Sequence, residues 1–138
     1  MTIEEIGRNL PALFCALFAA VTFIESGLSK VFDWSGNLEW LTGHFKETFL
    51  SGMVPVMLAT ITVLEVLTGI LSAVGVIYFL ATGSFFLMFL AGILGGLSIL
   101  ALFFGQRVAK DYEGAAVLVS YFVVMIILIY LTNPYLRS

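Results

Sequence analysis

The chain has 138 residues, 61% hydrophobic and only 11% charged, with a mean hydropathy of +1.10 and a formal charge of −3. A soluble domain is about half apolar and about a quarter charged, so this composition excludes an ordinary water-soluble fold and identifies an integral membrane protein. The length suits a single domain over 1–138, and no basic patch is present for nucleic acid.

The first eight residues, Met1 to Arg8, hold two acids and one base. A secretory signal would have a basic start and a small-residue cleavage site, so the apolar run that follows is read as a retained helix. A spanning helix needs roughly 20 mostly apolar residues. Four segments meet this: about 10–32, about 55–80, about 84–105 and about 114–131. Asn9 is the expected N-cap of the first, with Pro11 tolerated in its opening turn. The fourth stops at Thr132-Asn133-Pro134, because proline cannot continue a helix and disfavours it at the preceding residue. The short Ala81-Thr82-Gly83 connection makes spans two and three an antiparallel hairpin.

Between spans one and two, Trp34, Leu38, Leu41, Phe45 and Phe49 recur at helical spacing, with Glu39, Lys46 and Glu47 on other faces. This predicts an amphipathic helix over about 35–50 lying in the membrane interface, with Trp34 and Trp40 at headgroup depth. Folding back as a cap over the bundle mouth is the alternative. The expected class is therefore an all-α membrane protein, a four-transmembrane-helix bundle with one interfacial helix. Both termini share a side; Lys46, Arg107 and Lys110 on the other side, against Arg8 and Arg137, lean towards a cytoplasmic loop side.

Three ionisable residues interrupt the first two spans. Glu25 lies about 10 Å below the loop-side end of span one, Glu65 about 15 Å down span two, and Lys30 is shallow enough to snorkel. Ser98, Ser120 and Tyr121 occur at comparable depth on the other two spans. On span two, Glu65, Thr68, Gly69 and Ser72 follow i, i+3, i+4, i+7 and should face the bundle. On span one, Glu25 shares a face with Thr22 and Ser29, and Ser26 shares one with Lys30. Glu25 and Lys30 are about 140° apart and so are poor direct partners. A loop-side pocket of Glu25, Ser29, Lys30, Glu65, Thr68, Ser98 and Tyr121 is expected, for ligand binding or proton exchange. The small-residue pairs Ala91/Gly95 and Gly92/Gly96 are expected to pack helices closely, or to mediate dimerisation.

The loop residues Arg107, Lys110, Asp111, Tyr112 and Glu113 form either a solvated interfacial loop or a docking patch for a soluble partner. Cys15 and His44 are each single in the chain. A cysteine-pair redox mechanism, a bis-histidine haem and a multi-histidine metal site are excluded within it. No nucleophile–base pair is apparent, so no catalytic residue is assigned.

Glu25-Ser-Gly27-Leu-Ser-Lys30, Glu65-Val-Leu-Thr-Gly69 followed by Gly75, and the four-span layout resemble the DoxX-type membrane proteins. That family includes the small membrane subunit of thiosulfate:quinone oxidoreductases. The resemblance implies a bacterial or archaeal cytoplasmic (inner) membrane and association with redox partners. The leading expectation is an accessory or anchor subunit of a redox complex, whose intramembrane pocket takes a quinone or another amphipathic small molecule. The alternatives are a small proton-coupled transporter or permeability protein using Glu25 and Glu65, or a structural assembly subunit, with homo-oligomerisation open in each case.

Overall fold

In the computed structural model, which describes residues 2–136, the chain folds into six α-helices and no strand occurs among the described residues. They are α1 (Ile3–Arg8), α2 (Leu10–Phe32), α3 (Trp34–Phe45), α4 (Val54–Thr82), α5 (Phe86–Val108) and α6 (Tyr112–Thr132), with a 3₁₀ turn at Ser51–Met53. Four of them, α2, α4 (with the turn before it), α5 and α6, are long and apolar enough to cross a membrane. The protein is an all-α four-helix membrane bundle, and the span boundaries fall within about three residues of those read from the sequence.

Local chemistry sets the helix ends. Thr2 Oγ1 accepts from Glu5 N and starts α1, a short helix that the sequence reading did not anticipate. Asn9 is the N-cap residue of α2 as expected, its carbonyl accepting from Leu13 N, but its side chain makes no capping bond to that helix. Its side chain turns back and donates to Glu5 O at 2.8 Å, closing α1 instead. Gly83 ends α4 at φ 76°, the left-handed conformation in which a Cβ is penalised, and its N–H bonds Phe79 O. Asp111 caps α6 by accepting from Gly114 N at 3.0 Å. Arg137, counted above on the termini side, lies outside the described residues.

Each spanning helix packs on its neighbour in sequence, α2 on α4, α4 on α5 and α5 on α6, and α6 returns against α2. In lipid the acyl chains are as apolar as leucine, so association depends on close packing rather than on water release. Glycines supply that closeness. A Cβ on Gly69 would sit 2.8 Å from the backbone N of Ile24, and one on Gly27 would sit 3.1 Å from that of Val66. Gly92 and Gly95 are likewise spent within the bundle, against Ile129 and Met125 of α6. The core runs from Leu13, Phe79, Met88 and Leu128 at the termini end to Phe23, Ile99 and Met125 in the middle.

The loop-side end is closed differently. At 29 residues α4 is about 43 Å long, more than the roughly 30 Å hydrocarbon thickness. A span of that length is accommodated by tilt or by extending past the hydrocarbon at one end. In its first turns Val54 and Leu58 are fully covered, and α3 does much of the covering: Phe45 is buried with Leu50 and Val54, and Leu38 and Leu41 pack beside them. Part of the apolar stripe of the amphipathic helix thus packs on protein, with Phe45 buried and Leu38 and Leu41 half-buried over the bundle end. The helix ends at Phe45, so Phe49 lies beyond it and is exposed. Trp40 remains largely exposed.

Candidate functional site

The polar stripe of α4 faces inward as its spacing requires. Glu65 is 1% exposed, and Thr68, Gly69 and Ser72 are all buried. A buried carboxylate needs a partner, and α2 supplies it: Lys30 Nζ lies 3.0 Å from Glu65 Oε1. That approach is angled away from hydrogen-bond geometry, so the attraction is chiefly Coulombic. The ammonium is braced from its own helix by Ser26, four residues earlier, whose Oγ accepts at 2.8 Å. The i, i+4 relation of Ser26 and Lys30 is visible in the sequence. Lys30 retains 18% side-chain exposure, so its charged end still reaches beyond the pair.

Lys30 opens onto a cavity of about 520 Å³ between α3, α4 and α5. Leu41 and Phe45 of α3 form its roof, Ile61 and Leu64 line the α4 wall, and Leu102 lines the α5 wall. Lys30 is the one charged residue among its described lining; Asn37, Trp40, Thr60 and Gln106 are the polar ones. Asn37, Trp40 and Gln106 were not anticipated as site residues, because their role depends on α3 folding over the bundle end.

The roof is fastened to the α5–α6 loop. His44 Nε2 is 2.9 Å from Gln106 Oε1 and 3.9 Å from Asp111 Oδ2, and the imidazole stacks on Trp40 at 4.5 Å. His44 is thus a side chain joining α3 to the opposite rim of the cavity.

Other expected pocket members stand elsewhere. Glu25 is exposed on α2, opposite the face formed by Ala16, Phe23 and Gly27, and makes no hydrogen bond or ion pair with a described residue. The expected chamber shared by Glu25 and Glu65 is not formed. The physical reason is the 140° between Glu25 and Lys30: once Lys30 reaches inward to Glu65, Glu25 must point out. Ser29, one turn from Glu25, is exposed with it. Thr68 and Ser98 are inside, but their hydroxyls bond the carbonyls of Leu64 and Leu94 in their own helices. Tyr121 is half-buried and stacks on Phe18 at the α2–α6 seam, away from the ion pair.

The loop patch divides. Arg107 lies over the Tyr112 ring at 4.6 Å, and Lys110 and Glu113 are exposed. Asp111 is engaged as the α6 cap and faces His44. Four of the five residues therefore remain available at the surface. Compared with known proteins, the chain matches no family model, no curated protein and no solved structure.

Proposed function

We propose that this protein is a DoxX-type accessory subunit of a redox complex in a bacterial cytoplasmic membrane. In this reading its loop-side cavity binds the head of a quinone or a similar neutral amphipath. The carrying observation is a lysine that faces an apolar cavity while its charge is already balanced from behind by Glu65. The volume of about 520 Å³ lies within the range of roughly 300–1,000 Å³ of small-molecule sites. A carbonyl oxygen can accept a hydrogen bond from Lys30 without adding net charge to the site. A carboxylate ligand would leave an excess negative charge among apolar walls, which is costly. The chain's part is to hold and orient the head group. Electrons would come from a partner enzyme, and the exposed Arg107, Lys110, Tyr112 and Glu113 offer it a surface.

The test is titration of the reconstituted protein with a short-chain benzoquinone, following Trp40 fluorescence in a Trp34→Phe background. A charge-assisted hydrogen bond is worth about 1.5–3 kcal/mol, so Lys30→Met should weaken saturable quenching by at least about tenfold. Quenching that never saturates, or is the same in Lys30→Met, would show simple partitioning into lipid and refute the reading.

A further inference from the structure

The outer face of α2 carries a feature that bundle packing does not explain. Phe14, Val21, Glu25, Leu28 and Phe32 are exposed, as is the outer side of Phe18, whose ring also stacks on Tyr121, and they recur at spacings of four, three, four, three and four. Alternating steps of four and three are those of the seam of a helix pair, in which a single polar residue at a seam position fixes register and partner. Apolar side chains on such a face are satisfied by lipid. Glu25 is not, lying about 10 Å below the loop-side end of the span. Ser29 stands one turn nearer that end, also exposed, and its hydroxyl makes no bond with a described residue.

We propose that this seam is the docking face for a transmembrane helix of another protein, one that carries a lysine or arginine at the depth of Glu25. The cation would donate to the Glu25 carboxylate and the Ser29 hydroxyl, and the phenylalanines would pack around it and exclude lipid. Charge complementarity selects this occupant over a second copy. A two-fold pair through the seam would set Glu25 against Glu25. The exposed cations among the described residues, Arg8, Lys46, Arg107 and Lys110, lie at helix ends or in loops and cannot answer it at that depth. The seam is on the other side of α2 from Lys30, so it stands independently of what the cavity binds.

The experiment places the full chain, labelled with a donor fluorophore at its C-terminus, in phosphatidylcholine vesicles with acceptor-labelled synthetic peptides. The peptides are leucine-alanine spanning helices bearing one lysine at the matching depth, the same lysine two turns deeper, or none. The matched peptide should associate at least tenfold more tightly than the other two. Glu25→Gln should remove that preference, while Glu113→Gln, outside the span, should not. Because Glu25 makes no hydrogen bond or ion pair with a described residue, the Glu25→Gln protein should keep its wild-type circular dichroism and melting curve. Equal association of the three peptides would overturn the proposal, and so would a preference that survives Glu25→Gln. Energy transfer between two copies of the chain that is lost in Glu25→Gln would assign the seam to a homodimer and overturn it as well.

Discussion

Separating Lys30 from Glu65 should be far more damaging than removing both. At 3.0 Å two unit charges attract by about 5–6 kcal/mol at an effective dielectric near 20. The loss of hydration opposes this by several kcal/mol for each ion, so the net worth of the pair against apolar replacements is near zero. The single substitutions differ. Lys30→Met strands a carboxylate that is 1% exposed and accepts no hydrogen bond from a described residue, a loss of about 3–5 kcal/mol. Glu65→Leu leaves an ammonium that keeps its 2.8 Å bond to Ser26 and its opening to the cavity, so about 1–2 kcal/mol is expected. The double variant should return to within about 1 kcal/mol of the parent, giving a coupling of at least about 3 kcal/mol. Equilibrium unfolding in mixed micelles, followed by far-ultraviolet circular dichroism, measures all four corners of this cycle. Effects that add within about 0.5 kcal/mol would refute the claim that the two charges act as a unit.

Glycine substitutions should separate close packing from mere helix preference. Gly69→Ala drives a methyl against the α2 backbone and should destabilise by about 1–3 kcal/mol, whereas Gly43→Ala meets nothing within 4 Å in α3 and should stabilise by about 0.5–1 kcal/mol. Thermal melts of the two proteins should move in opposite directions. Replacing His44 by alanine removes the 2.9 Å link to Gln106 and should loosen α3 by about 1 kcal/mol. Faster amide hydrogen exchange confined to α3 and the α5–α6 loop would register it, and unchanged exchange there would show that the roof is held by the apolar contacts of Phe45, Leu38 and Leu41. Asp111→Ala removes the cap of α6 and should cost about 1 kcal/mol, with exchange quickened in the first turn from Tyr112.

Membrane spans are legible in a sequence because hydrocarbon requires unbroken apolar length and internal backbone hydrogen bonding. That requirement alone set the four helices here, their hairpin at Gly83 and the stop before Pro134. The inward rotation of α4 was also legible, since Glu65, Thr68, Gly69 and Ser72 leave one polar, small-sided stripe and no competing one. The rotation of α2 was not. It has polar residues on two faces, Glu25 with Ser29 and Ser26 with Lys30, and their spacing says only that one of them must turn outward. Which one depends on a long-range fact, the distance from Lys30 to Glu65 once Gly27 and Gly69 bring α2 and α4 together. The same division holds for α3. Its periodicity defines an apolar face, yet lipid and protein satisfy such a face equally well in one dimension. Only the tertiary contacts, with Phe45 packed on Val54 at the start of α4, decided that α3 would roof a cavity and set Lys30 at its edge.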